Sequence, residues 1–432
     1  MPLCMQRTRN AANRLAGSYV PSMFVAQSGG SAEREYCLPG IVLLSIRGIE
    51  GKTAGLMLIR GYRLSDFCSK TKNCQSNCGT DFKAAHPWKY DARSTVIGYF
   101  QTWTLAGEKC AKKTTETNIR LGAVSHVNAA FAYIKPDTYV IHGIQEGKKP
   151  PLEDKYYQAV TNIKTRAPKV KVWLSLGGWT FSDNDTVTQP VWSDLSSTEV
   201  KRARFIRELD TYMVSHGFDG VDLDWEYPGA PDRRGKPEDT ANYVLLCKDI
   251  NRHFQNRGRG WGLSFTAPAS YWYMKWFDIE NMAAEVDFVN LMTYDMHGSW
   301  DDRSNWIGNK VYTHTNMTEI KDALQLLWRN NVPAEKVNMG LGFYGRSYTL
   351  KDPKCDKPGC LFSGPGKAGT CTGQEGYLSY QEIKDILKST GAKPVHDKET
   401  MTKYVRFNND QWVGYDDPET IKAKVKYANE VG

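Results

Sequence analysis

The eight residues from Asp219 to Glu226, Asp-Gly-Val-Asp-Leu-Asp-Trp-Glu, constrain this chain more than any other stretch. Phe218, Val221, Leu223 and Trp225 give the segment the apolar content of a buried strand. Side chains of a strand alternate faces, so Asp222, Asp224 and Glu226 share one side. Buried charge is tolerated only when it is paired, hydrogen-bonded or neutralised by a shifted pKa. Three carboxyls in a row therefore make an acid–base apparatus or a metal site, unless the face they line is wet. The flanking sequence argues against a wet face. From Thr198 to Val214, apolar residues recur at Val200, Ala203, Ile206, Leu209 and Met213, the spacing of one helix face. Ser196 with Glu199 reads as a capping box, and Gly217 as the stop. Beyond a loop, Tyr243, Leu246, Cys247, Ile250 and Phe254 predict a second helix. Helix, strand, helix implies a parallel strand covered on its outer face, with the acids pointing into a closed interior.

The same unit repeats. Strands are predicted at Thr95–Phe100, Ser125–Tyr133, Val170–Leu176, Phe218–Glu226, Gly262–Ala267, Val286–Thr293 and Val337–Phe343, with helices such as Leu152–Arg166 and Thr318–Trp328 between them. Repeated βα units predict an α/β fold, a (β/α)8 TIM barrel whose active site lies at the C-terminal ends of its strands. Ser175 to Trp179, Glu226-Tyr227 and Met292 to Asp295 all fall at such ends. Only seven strands can be placed. After the seventh, residues 349–416 read as an inserted α+β subdomain with a helix at Gln381–Leu387 and a hairpin of Tyr404–Phe407 with Gln411–Tyr415. A last helix runs from Pro418 to Asn429, leaving the eighth strand missing before Gly432.

Composition narrows the function classes. The net charge is +8, but residues 1–90 hold 12 Lys and Arg against 5 Asp and Glu, while the remainder holds 44 against 43. The basic surplus thus belongs to the N-terminal segment, and no nucleic-acid partner is implied. No apolar run approaches a membrane span, and the first thirty residues lack the apolar core of a secretion signal. Aromatic content of 12%, with 13 Trp and 23 Tyr, fits either a ligand that stacks or a large core. Cys68, Cys74 and Cys78, and again Cys355, Cys360 and Cys371, cluster in polar loops typical of extracellular proteins. Neither cluster has zinc-site spacing, and Cys247 falls on a helix's apolar face as a buried free thiol. Residues 1–65 show no steady periodicity.

The motifs resemble those of the glycoside hydrolase family 18 chitinases, of the fungal class V type with an appended hevein-like module. Phe218–Glu226 with Tyr227-Pro228 is similar to that family's D-G-x-D-x-D-x-E motif. Ser175-x-Gly177-Gly178, Met292-x-Tyr294-Asp295 and Phe343-Tyr344-Gly345-Arg346 are similar to its third-, sixth- and seventh-strand motifs, in register from residue 94 to 432. Residues 66–80 resemble the tail of a hevein-type chitin-binding domain that has lost most of its cysteines. The resemblance implies a C-terminally truncated barrel, since the family's eighth strand and its sugar-floor Trp would follow Gly432. It also implies a disordered or misassembled N-terminal segment.

What the resemblance implies about function is specific. Family 18 departs from the two-carboxylate nucleophile mechanism; the substrate's N-acetyl carbonyl attacks the anomeric carbon and gives an oxazolinium ion. Glu226 would be the general acid and later the base, Asp224 would orient the acetamide, and Asp222 would share a proton with Asp224. Tyr294 would steady the oxazolinium, while Asp295 and Met292 would contact the sugar. Tyr99, Trp103, Trp179 and the run Tyr271-Trp272-Tyr273 are candidates to stack on sugar faces. Gly178, Tyr227 and Arg346 complete the candidate substrate contacts. The coupling also has a direct physical basis. Alternate strand residues lie roughly 6–7 Å apart, and like charges in a confined site raise a pKa, keeping Glu226 protonated near neutral pH. The expected protein is an extracellular, monomeric, retaining endochitinase acting on chitin and chitooligosaccharides, with no cofactor or metal and no membrane contact. A non-catalytic chitin-binding lectin and an endo-β-N-acetylglucosaminidase on the same barrel are the alternatives.

Overall fold

The computed structural model describes residues 95–102, 117, 119–143, 154–303 and 307–432, together with the backbone of strands Ser22–Val25, Tyr36–Pro39 and Ile41–Ile46. Trp103 and the hevein-like stretch 66–80 lie outside the described residues.

Seven parallel strands form the curled wall of a TIM-like barrel. They are β1 (Val96–Gln101), β2 (His126–Ile134), β3 (Lys171–Gly177), β4 (Gly220–Asp224), β5 (Gly262–Pro268), β6 (Phe288–Met292) and β7 (Val337–Met339), hydrogen-bonded in chain order. Each is almost wholly buried, as expected where helices cover the outer face and side chains fill the inner one. The outer layer includes the helices Glu199–His216, Asp239–Arg257 and Met317–Arg329. No helix among the described residues is long and apolar enough to cross a membrane.

Local signals were legible but not always in the right place. Gly217 stops the helix Glu199–His216 in the left-handed conformation at φ +75°, as predicted. Its N-cap is Thr198, whose Oγ1 accepts from the Lys201 amide; Ser196 instead closes a separate short helix, Val191–Ser196, so the expected capping box does not form. Val200 is exposed, because the helix turns its Phe205–Ile206–Leu209–Met213 face inward.

The seventh motif divides between two sheets. The expected strand Val337–Phe343 ends at Met339, and Tyr344–Leu350 starts a separate antiparallel sheet with Gln411–Tyr415, Thr402–Phe407, Val395–Asp397, Phe362–Pro365 and Tyr377–Ser379. The helix Tyr380–Thr390 packs on this sheet through Tyr380 and Ile383 over Val405, Phe407 and Val413. Cys355 and Cys360 form a disulfide there, Cys371 is disulfide-bonded as well, and Cys247 is a buried free thiol. The final helix, Pro418–Val431, is anchored by a buried ion pair, with Lys424 Nζ 2.5 and 2.6 Å from the two Asp416 oxygens.

No eighth parallel strand follows β7 among the described residues. The free edge of β1 is occupied from the other end of the chain. Strand Ile41–Ile46 pairs with it antiparallel, Ile41 opposite Phe100 and Ile46 opposite Val96, and also approaches β7. The continuous apolar run at its core, Ile41–Leu44, is too short to show a periodicity that distinguishes strand from helix, so it carries no assignment by sequence alone.

Candidate active site

The acidic ladder points into the barrel, and its three members have different surroundings. Asp222 is fully buried and accepts four hydrogen bonds. Tyr99 Oη and Ser175 Oγ donate to Oδ2 at 2.6 and 2.7 Å, while Ser264 Oγ and Asn290 Nδ2 donate to Oδ1 at 2.7 and 2.9 Å. Ser175 and Ser264 are its register partners on β3 and β5; Tyr99 and Asn290 reach it from β1 and β6. Both oxygens act only as acceptors, so the set is saturated by hydroxyls and an amide. That leaves no lone pair for a cation, and the metal reading of the ladder loses its central ligand. The expected Asp222–Asp224 proton bridge is likewise not formed.

Asp224 and Glu226 are left unsaturated. Thr266 Oγ1 donates to Asp224 Oδ1 at 2.5 Å, but Asp224 Oδ2 and Glu226 Oε1 are buried with no hydrogen-bond partner. Burial, reinforced by the charge of Asp222, pushes Asp224 up to about 7. Burial and then the charge of Asp224 raise Glu226 well above the ordinary carboxyl range, with Arg233 opposing. Both acids therefore hold protons at pH values where exposed carboxyls have lost them.

Tyr294, at the end of β6, is the third unsatisfied group. Its hydroxyl is buried without a partner, and its pKa is raised by burial and by the charges of Asp224, Asp295 and Glu226. Met292, two residues earlier and the last of β6, is buried as well. Asp295 adopts φ +58° and uses Oδ1 to accept from Tyr344 Oη at 2.6 Å and Arg346 Nε at 2.7 Å. Arg346 thus positions Asp295 from the inserted sheet, with its guanidinium 5.0 Å from the Trp300 ring centroid.

The remaining candidates divide. Gly177 and Gly178 join strands: a Cβ on Gly177 would lie 2.4 Å from the Asp224 carbonyl, and the Gly178 amide donates to that carbonyl at 2.9 Å. Gly178 thus spends its amide inside the barrel wall. Tyr99, expected against a sugar face, is instead buried beneath Asp222. Tyr227 stacks on Tyr273 at 4.2 Å and meets Trp179 edge-on at 6.4 Å. Trp179 is partly exposed, with Arg233 over its ring and its Nε1 unpartnered. Tyr271 and Trp272 stand largely exposed on the short helix after β5.

Sequence reasoning missed Ser264, Thr266, Asn290 and Arg233. The first two were legible: Ser264 and Thr266 alternate in an otherwise apolar strand, as the acids do in theirs. His297 was not chosen as catalytic, and it bridges Asp301 and Glu319, both at 2.8 Å.

The sequence profile of glycosyl hydrolases family 18 matches residues 95–432. Among curated proteins, the chain is 30% identical to a probable chitinase LysM11 of Penicillium expansum, covering 84% of this chain and 33% of that one. It is also 30% identical to mouse chitotriosidase-1, covering 70% and 63%. The chain spans a third or less of the length of the Penicillium relatives. Among solved structures, an Ostrinia furnacalis group IV chitinase in complex with allosamidin superposes with a TM-score of 0.67 at 26% identity, covering 77% of this chain and 88% of that one. Human YKL-39, described as a pseudo-chitinase with retained chitooligosaccharide binding, gives 0.65 at 26%, covering 77% and 88%. A barrel of matching topology, an acidic ladder at its strand ends and a profile match from the first stave to the last helix agree: the chain belongs to glycosyl hydrolase family 18.

Proposed function

We propose that the barrel hydrolyses β-1,4 bonds between N-acetylglucosamine units of chitin with retention of configuration, using the substrate's own acetamide as nucleophile. One observation carries this reading: Asp224 Oδ2, Glu226 Oε1 and the Tyr294 hydroxyl are buried and unpartnered. Buried polar groups are nearly always satisfied, so three unsatisfied ones that share an electrostatic environment mark a ligand's place. An N-acetyl group offers the matching set, an N–H for a carboxylate and a carbonyl for a phenol.

In this reading Glu226 enters protonated and gives its proton to the glycosidic oxygen. Asp224 accepts from the acetamido N–H and aims the carbonyl at the anomeric carbon. Tyr294 donates to the carbonyl oxygen and steadies the oxazolinium. Glu226, now ionised, removes a proton from the water that opens the ring on the same face. Asp222 is the fixed charge beneath Asp224. Tyr227, Trp179, Met292 and Asp295 line the sugar site, with Arg346 setting Asp295. The relatives include a protein described as a secreted chitinase, which supports action outside the cell; a single barrel is sufficient for the chemistry, and we assign the monomer as the active form.

Proton NMR of chitooligosaccharide cleavage tests the mechanism. The β-anomer should appear first, and initial α-anomer excludes the acetamide as nucleophile. Binding without turnover is the competing reading, favoured by the pseudo-chitinase neighbour. Retention of a carboxylic acid at Glu226, buried and raised, favours hydrolysis.

A further inference from the structure

Arg233 lies in the loop after β4 with only 2% of its surface exposed. Its three guanidinium nitrogens reach three separate acceptors. Nε donates to the backbone carbonyl of Glu226 at 2.9 Å, Nη1 to Asp183 Oδ1 at 2.8 Å, and Nη2 to the backbone carbonyl of Trp179 at 2.8 Å. The guanidinium carbon also sits 3.9 Å from the Trp179 ring centroid. Asp183 and Trp179 belong to the loop after β3, so one side chain grips the proton donor's backbone and the neighbouring aromatic together.

Surrounding contacts converge on the same spot. Gln189 Nε2 donates to the Arg233 carbonyl at 2.8 Å, Asn184 Nδ2 to the Asp232 carbonyl at 2.9 Å, and Tyr273 Oη to Asp232 Oδ2 at 2.7 Å. The loops after β3, β4 and β5 are therefore laced to one another through residues 232 and 233.

We propose that Arg233 is a positioning residue for glycoside cleavage, holding the Glu226 carboxyl and the Trp179 ring at a fixed separation so that a sugar resting on Trp179 presents its glycosidic oxygen to Glu226. The inference rests on Glu226 being the proton donor. A planar fork is required for this arrangement, since an ammonium on a flexible stem is a point charge that neither stacks on an indole nor aligns three acceptors. Arg233 also opposes the burial that raises Glu226, which helps a group that must give up a proton and then take one back.

The test compares wild type with R233K, R233M and D183N in the full chain, by pH-dependent kinetics on a chitooligosaccharide. The same proteins are titrated with tri-N-acetylchitotriose by tryptophan fluorescence. R233M should lose about 100-fold in kcat, the order expected from displacing a catalytic group by about 1 Å. Its alkaline limb should move to higher pH, because removing a cation raises the pKa of the acid that must stay protonated. R233K should keep the limb in place yet lose about tenfold in kcat and in trisaccharide affinity, retaining the charge without the fork. D183N, which loosens one nitrogen without touching Glu226, should weaken trisaccharide binding and leave the limb unmoved. Wild-type kcat, pH profile and affinity in R233K and D183N overturn the proposal, as does an R233M that melts lower but keeps the wild-type profile. Wild type that binds the trisaccharide without cleaving it refutes Glu226 as donor, and the affinity series still decides whether Arg233 sets Trp179.

Discussion

Tyr99 and Asp222, 123 residues apart in the chain, are joined by a 2.6 Å hydrogen bond from the phenol to Oδ2. The contact runs from the first stave to the fourth, across the barrel interior. It makes Asp222 the hub of an inner layer in which Ser175, Ser264 and Asn290 also spend donors on one carboxyl. The charge held there also helps burial to raise the pKa of Asp224, two residues further on.

Tyr99→Phe should therefore destabilise the fold without opening a cavity. Removing one partner from a buried hydrogen bond to a charged group costs about 1–3 kcal/mol. Urea denaturation should show a lower midpoint with an unchanged slope, together with reduced turnover. A variant as stable as wild type would mean that three donors suffice for Asp222.

Glu226→Gln should abolish cleavage of chitooligosaccharides by at least about 10³-fold, within the range that general acid–base groups contribute. The amide is nearly isosteric, so oligosaccharide affinity measured by calorimetry should stay close to wild type. Retained turnover would refute the assignment of the proton donor.

Asp224 makes stability depend on pH in a definite direction. Its proton leaves near 3.8 in an unperturbed carboxyl but near 7 in the folded protein. Between these values the folded state binds the extra proton, so stability falls as pH rises through this window and levels above it. Asp224→Asn cannot ionise and should lose that slope. Thermal melts at about pH 4 and about pH 8 should show the variant gaining on wild type at the higher pH. An equal difference at both would show that Asp224 titrates as an exposed acid does.

His297 gives a pH slope of the same sign, in a higher window. Burial alone would push it down, but its hydrogen bonds to Asp301 and Glu319 outweigh burial and raise it to about 9, from an ordinary value of 6.5. Its stabilising charge is fully present below 6.5 and is lost as pH rises through about 9. His297→Gln should cost about 3 kcal/mol at neutral pH and much less at about pH 10. Denaturation at the two pH values measures this, and a pH-independent cost would assign His297 to packing alone. Because His297 braces the loop that carries Trp300 under Arg346, the loss should also raise KM.

Legibility followed the range of each signal. All seven staves were readable because a parallel strand buried on both faces is a run of apolar residues between turns. Their ends were not: β4 ends at Asp224, although the apolar pattern continues through Trp225, because strand pairing stops where the chain bends into the active-site loop. Val200 fits a helical stripe and is nonetheless exposed, since no neighbour covers that side of the helix. Arg346 was recognised within a motif, but its sheet was misplaced; it belongs to the insertion, and only that sheet's docking brings it to Asp295.

Local periodicity was enough to determine the order of the βα units and the shared face of Asp222, Asp224 and Glu226, because both depend only on residues a few positions apart. The division of labour among the three acids was decided by tertiary structure. Hydrogen bonds act only within about 3 Å and in fixed directions, so a carboxyl is saturated or left open by whichever distant strands deliver donors to it. Four strands supply Asp222, one hydroxyl meets Asp224, and Glu226 Oε1 is left without a partner.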